Sequence, residues 1–481
     1  MSLSFASGGL FAPLSWRQVA SGALMSLATP SAAPPPSRQR TSPESSDQKL
    51  AALLRWLEDG GARFAKLNVV RQENGERAVL ARTDIATGEA VLQVPRSHLL
   101  TLEVAKSSDI GRLIRSHVSP DNEELYLASF LLQEKHRPDS FWKPYVDSLP
   151  EAFPHVPLFF SASERALLQG SFLLTLLQFQ DYSLRQDHAL LCQKVPGYER
   201  FSVEEFIWAR LSVSSRNFGL KVGGLQGRSL VPLADMLNHR RPPDVLWSTS
   251  KDGQFFEMTA QNTIATGLEV HDSYGAKSND LLLLHFGFVV ENNEQDEVFL
   301  SLGLPEGTAL ASGKQKLLGL SSPTARQPFK VPLQYEHAAT QRMFSFLRVA
   351  CATTGELPRL APRLLSGLGS IKPLGVANEE RVLRSLGEAC EARLAAFDSS
   401  FEEDERLLRE GALSLNARSC VLMRREEKRL LRAWLELTRT GLSLLRMPRA
   451  ELERLAERPE SPWGWFDRYV REAVLELVRR A

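Results

Sequence analysis

A chain of 481 residues is long enough for two or three domains with a large core. Its 43% hydrophobic and 24% charged residues are ordinary for a globular protein. With 58 Lys plus Arg against 57 Asp plus Glu, no net charge draws nucleic acid. A protein or small-molecule partner is expected instead.

Cys192, Cys351, Cys390 and Cys420 are widely spaced, which argues against a zinc cluster and a disulfide framework; no metal is expected. Apolar runs such as Leu281 to Val290 are about half the roughly 20 residues that a membrane span requires. No membrane helix is expected.

Residues 1 to 43 have no Asp or Glu but carry Arg17, Arg38 and Arg40 among many Ser, Ala and Pro. That composition predicts a disordered or transit-peptide-like N-terminus over 1–46. An organelle such as the chloroplast is the destination if it is a transit peptide, and the cytoplasm or nucleus otherwise. Folding starts near Asp47, where Leu50, Leu53, Leu54 and Leu57 recur at helical spacing and Gly60-Gly61 ends the helix.

Residues 64 to 100 read as short strands, Ala78 to Ala81 and Ala90 to Val94, around a Thr87-Gly88 turn. From about 101 to 215 the pattern is helical. Strand signals return between 230 and 275, including Phe255 to Met258 and a turn at Thr266-Gly267. Helix resumes at Ser278, and from about 325 the periodicity predicts almost nothing but helix. Arg424, Arg425, Lys428, Arg429 and Arg432 crowd one stretch of it; interleaved with Glu426 and Glu427, they read as a solvated face. The expected class is α+β: a β-rich domain over 47–275 with a helical insert at about 101–215, a connector over 276–324, and a helical domain over 325–481.

The apolar run Leu230 to Leu237 carries Asp235 and ends in Asn238-His239, and Ser273-Tyr274-Gly275 follows. Asn offers both an amide donor and an acceptor. A Tyr beside Gly suits a phenol aimed at a ligand, although Asn, His and Tyr-Gly each have common structural uses. Four ordered blocks add context: Val79 to Thr101, Ser140 to Pro150, Asp235 to His239 with Ser273 to Asn279, and Phe401 to Leu408 with Arg424 to Lys428. Together, over roughly 64 to 440, these resemble the Rubisco large-subunit methyltransferase-like class of SET proteins. The absence of a Cys cluster after Tyr274 agrees with that class, which has a helical domain there.

The resemblance implies a SET domain with a C-terminal substrate-binding domain. It also implies S-adenosylmethionine as cofactor and a protein substrate approached by a monomer. It makes Tyr274 catalytic. Gly75, Glu76, Arg77, Arg216, Asp235, Met236, Leu237, Asn238, His239, Phe286, Gly287 and Phe288 would bind the cofactor. Within that set, His239 would act through its backbone, and Asp235 would either hold the Asn-His loop or touch substrate. Phe218, Ala234, Tyr274 and Phe286 would line the acceptor channel. Two departures stand out: Ala78 replaces a family Gly, and His285-Phe286-Gly287-Phe288 replaces Asp-Tyr-Gly-Phe.

Lysine of a non-histone protein is the expected acceptor. A sister branch that methylates actin histidine has Asn and Trp where this chain has Phe218 and Ala234. Histidine methylation and a catalytically degenerate protein-binding scaffold are the alternatives.

Overall fold

The computed structural model describes residues 43–72, 77–222, 225–358, 360, 371–458 and 460–480. Most of the N-terminal segment, and Gly75 and Glu76 of the expected cofactor loop, lie outside these. The described chain divides into two compact units. One contains the described residues of 43–159 and 180–277, the other those of 160–179 and 278–480.

In the first unit α1 (Pro43–Asp59) ends where Gly61 takes a positive φ of 89°. Among the described residues, five antiparallel pairings form its sheets. β1 (Leu67–Arg71) pairs with β2 (Arg77–Ala81). β3 (Ala90–Pro95) lies beside β8 (Phe255–Ala260), and β8 beside the edge strand β7 (Val245–Thr249). The short β4 (Leu100–Thr101) joins β6 (Leu225–Leu230), which pairs with β5 (Asn217–Val222). Strand alternation sends Phe256, Met258 and Ala260 inward, where they meet Leu92, Val94, Leu230 and Val231.

Helices occupy the span between β4 and β5: α2 (Leu102–Ser107), α3 (Asp109–His117), α4 (Glu123–Lys135), α5 (Lys143–Ser148), α6 (Ala162–Ala166), α7 (Leu173–Lys194) and α8 (Val203–Arg216). Ser202 and Glu205 form a reciprocal capping box that starts α8, so the helix runs in fixed phase to Arg216. The β5–β6 hairpin lies just beyond the helical stretch and before the strand signals that the sequence reading places from 230 onward.

The second unit contains α9 (Asn279–Phe286), β9 (Glu297–Gly303), α10 (Ala311–Leu318), β10 (Arg326–Pro332), α11 (Ala338–Ala350), α12 (Val376–Ala395), α13 (Phe401–Glu410), α14 (Leu415–Leu444) and α15 (Arg449–Ala456). A final helical run continues from Asp467–Tyr469 through Val470–Leu475 to Glu476–Arg480. Its core gathers Val298, Leu300, Phe329, Val331, Phe344, Leu383, Leu386 and Trp434.

Two expectations need correction here. The stretch after 325 is not all helix, because β10 pairs antiparallel with β9. Pro328 and Pro332 resist a helix interior, and Phe329 and Val331 alternate inward.

The basic cluster of α14 is not a solvated face either: Arg424, Arg425 and Lys428 are buried. Asp404 of α13 takes Arg424 at 2.7 Å and Lys428 at 2.7 Å. Arg425 pairs with Glu405 at 3.0 Å and Glu426 at 3.1 Å. Packed against acidic α13, these charges are compensated inside the unit. Among the described residues, no helix is long and apolar enough to cross a membrane.

Candidate active site

The site residues of the first unit meet where two loops run side by side. Main-chain bonds hold the Asn238 loop to the segment before Tyr274: Asp272 N–H donates to the Asn238 carbonyl at 3.0 Å, and Arg240 N–H to the Asp272 carbonyl at 2.9 Å. The loop is entered through Leu233, a buried non-glycine residue at φ 70° and ψ −41°, a strained conformation held by its surroundings. A short 3-10 turn, Ala234–Met236, follows and leaves the Leu237 carbonyl facing Tyr274. The Tyr274 hydroxyl donates to that carbonyl at 2.9 Å. Burial raises the phenol's pKa above its ordinary value, so the hydroxyl stays protonated.

His239 stacks beside Tyr274, with ring centroids 5.2 Å apart and planes 30° from parallel. Its Nδ1 accepts the Tyr274 backbone N–H at 3.0 Å, so the proton of the neutral ring sits on Nε2. Burial, reinforced by Arg241, Lys277 and His271, pushes the imidazole down to about 4. The sequence reading assigned only backbone contacts to His239; the side chain also anchors the Tyr274 loop.

Asn238 uses both hydrogens of its side-chain amide within the protein. One goes to the Arg77 carbonyl of β2 at 3.0 Å and the other to Glu269 Oε1 at 2.7 Å. The side-chain oxygen is thereby fixed as the acceptor offered to a ligand.

Asp235 is wholly enclosed. Tyr145 of α5 donates to its Oδ2 at 2.9 Å, and Arg216 at the end of α8 lies 3.6 Å from the same oxygen. Arg216 also donates to the Asp235 backbone carbonyl at 2.8 Å. Burial raises the Asp235 carboxyl above its usual range, while Arg216, Tyr145 and Arg77 pull it back. These contacts tie the Asp235 turn to α5 and to the end of α8. Asp235 Oδ1 and Arg216 Nε are buried atoms with no hydrogen-bond partner among the described residues, and such atoms mark where a ligand's polar groups would be satisfied.

Phe218 on β5 is buried and packs edge-on against Phe256 at 5.3 Å and Trp247 at 5.8 Å. Ala234 and Met236 are buried in the same core. Arg77, the first residue of β2, donates to the Ser148 carbonyl at 2.8 Å. Ala78 is fully buried inside β2. Phe286, Gly287 and Phe288 belong to the second unit, where Gly287 caps α9 at φ 81°.

Sequence reasoning missed Tyr145, Leu233 and Glu269. Tyr145 stands inside the Ser140 to Pro150 block, which was the available signal.

Comparison with known proteins adds the following. The family described as Rubisco LSMT substrate-binding matches residues 305–431. The actin-histidine N-methyltransferase of Homo sapiens is 27% identical over 447 residues, covering 89% of this chain and 75% of that protein. Its Rattus norvegicus counterpart is also 27% identical, over 89% of this chain and 74% of the relative.

Among solved structures, the SET domain of LSMT bound to MeLysine and AdoHcy superposes with a TM-score of 0.69 at 23% identity. The match covers 86% of this chain and 97% of that one. Rubisco LSMT bound to AdoMet gives a TM-score of 0.68 at 23% identity, over 87% and 98%. The fold is therefore α+β, a SET domain followed by a C-terminal substrate-binding domain, as the sequence blocks imply.

Proposed function

We propose that this chain, a SET-domain protein methyltransferase with a C-terminal Rubisco LSMT substrate-binding domain, methylates a lysine of a non-histone protein. S-adenosylmethionine is the cofactor, and bound at the site it supplies an electrophilic methyl group. The residues present fit it. The fixed side-chain oxygen of Asn238 suits an ammonium, and the Nε of half-buried Arg216, which has no hydrogen-bond partner among the described residues, suits a carboxylate. His239 and Leu237 offer backbone beside them.

Most of the catalytic effect in such a site comes from alignment and electrostatics. Tyr274 takes the catalytic role by orienting the acceptor nitrogen: its proton is committed to Leu237, so toward an amine N–H the oxygen can only accept. A lysine ammonium, with an unperturbed pKa of about 10.4, must lose its proton before it attacks. An apolar channel disfavours the charged form and lowers that value.

The observation that carries lysine over histidine is Phe218, buried against Trp247 and Phe256 with small Ala234 nearby in the core. That largely apolar wall suits an aliphatic stem. Histidine is the second reading, favoured by the names of the relatives at 27% identity.

Labelling a cell extract with isotopic S-adenosylmethionine, then identifying the modified residue by mass spectrometry, decides between them. Methyl-lysine supports the proposal and methylhistidine overturns it; no label with either residue would leave the scaffold reading. We expect a monomer acting on a protein. An organelle is the destination if the acid-free N-terminus is a transit peptide, and the cytoplasm or nucleus otherwise, which a fluorescent fusion tests.

A further inference from the structure

The geometry points to Glu269 as a positioning residue for cofactor binding, backed by His271 and Asp244, that sets the orientation of the Asn238 amide. This rests on the reading of Asn238 as a cofactor residue.

An asparagine amide has two faces of similar shape and opposite polarity. A free amide rotates between them, and only one presents oxygen to an ammonium. Two acceptors prevent that rotation here: the Arg77 carbonyl at 3.0 Å and Glu269 Oε1 at 2.7 Å. The bond to the Glu269 carboxylate is the shorter and, being made to a carboxylate, the stronger of the two.

Glu269 is itself held in place. Its segment runs antiparallel to β2, bridging Leu80 to Glu269, with Ala81 N–H donating to the Leu268 carbonyl and Val270 N–H to the Val79 carbonyl, each at 2.8 Å. The strand that supplies the Arg77 carbonyl therefore also fixes the backbone of Glu269.

On the far side of the carboxylate, His271 Nε2 stands 3.6 Å from Oε2. The opposite edge of that ring is clamped: Asp244 Oδ2 lies 3.0 Å from Nδ1 and accepts the His271 backbone N–H at 3.0 Å. Arg240 pairs with the other Asp244 oxygen. The ring is thus a fixed wall that keeps Glu269 turned toward Asn238.

Beyond it opens a groove of about 360 Å³ lined by Arg240, Asp244, Glu269 and His271. Shortening Glu269 would extend this space to the Asn238 amide. The main-chain bonds of Asn238 and Asp272 do not involve the Glu269 side chain, so its removal frees the amide without releasing the loop.

The test is titration calorimetry of the full chain with S-adenosylmethionine, together with thermal melting. Glu269→Ala should weaken binding about tenfold, the loss expected for one charge-assisted hydrogen bond, with little change in Tm. Sodium formate, small enough for the enlarged groove, should restore most of that affinity. Glu269→Gln still offers an oxygen to Asn238 and should bind within about twofold of the wild type. His271→Ala should weaken binding severalfold by letting Glu269 swing into the groove.

Wild-type affinity in Glu269→Ala overturns the inference, as does a Glu269→Gln chain as weak as Glu269→Ala. Should Glu269→Ala fail to fold, the Gln and His271 variants decide alone. Absence of binding by the wild type would instead overturn the cofactor reading itself.

Discussion

The Tyr274 hydroxyl donates its one proton to the main-chain carbonyl of Leu237, three residues past Ala234 and one before Asn238. The phenol is therefore an oriented acceptor and not a base, since burial keeps it protonated. Replacing Tyr274 with Phe preserves the ring packed beside His239 and deletes only the oxygen. Methyl transfer should fall at least about 100-fold, the typical loss on removing one preorganised polar group. S-adenosylmethionine affinity should change little. Equal labelling of an extract by variant and wild type would refute a catalytic role.

The imidazole of His239 holds the same tyrosine from behind by accepting its backbone N–H. His239→Ala removes that acceptor and should cost on the order of 1 kcal/mol of stability. The ring is neutral in the fold, with its value pushed down to about 4, whereas in the unfolded chain it titrates near 6.5. The unfolded state then binds more protons between these values, so stability is full above about pH 6.5 and falls as pH drops toward 4. Melting temperature against pH should show a shallower acid slope for the variant over that window.

Much of this site is legible in short motifs, because Asn238, His239 and Tyr274 lie in two compact stretches. Their supports are not. Tyr145 meets Asp235 across 90 residues, and Glu269 meets Asn238 across 31. Only the fold brings them together.

The strand at Arg326–Pro332 escaped because alternation over seven residues, interrupted by two prolines, is a weak signal beside long helices. The charges of α14 were misjudged for a related reason. Periodicity places them on a face of the helix but does not show that acidic α13 covers that face.

That covered face makes unequal predictions for charges that look alike in sequence. Asp404 is fully buried and receives Arg424, Lys428 and the Ser399 hydroxyl, the last at 3.0 Å. Asp404→Ala strands two buried cations and should cost about 3–5 kcal/mol. Arg432, by contrast, meets Glu402 at the surface, where both side chains are at least half exposed. Arg432→Ala should cost less than about 1 kcal/mol. Chemical denaturation of the two variants measures both; similar losses would contradict the buried network.

Phe218 is the position where acceptor choice should be adjustable. Phe218→Asn exchanges an apolar edge for an amide with both donor and acceptor. It removes ring contacts with Phe256 and Trp247, so about 3 kcal/mol of stability should be lost. If the lysine reading holds, the ratio of methyl-lysine to methylhistidine in a labelled extract should fall in the variant. An unchanged ratio would show that Phe218 does not set the acceptor.

Glu427 on α14 is buried, and its Oε2 has no hydrogen-bond partner among the described residues. Burial lifts its carboxyl to about 8; Arg393 and a hydrogen bond with Ser171 oppose the shift, and Asp280 and Asp296 add to it. The folded chain therefore keeps a proton on Glu427 that the unfolded chain releases near the ordinary glutamate value of about 4.3. Stability from this group is fully present below that value and is lost progressively as pH rises to about 8. Glu427→Gln is neutral at every pH and retains a group able to meet Ser171. Its melting temperature should match the wild type near pH 4, exceed it by a growing margin through neutrality, and hold that margin above about pH 8. A difference that is flat across this range, or that shrinks as pH rises, would show that Glu427 is ionised in the folded protein.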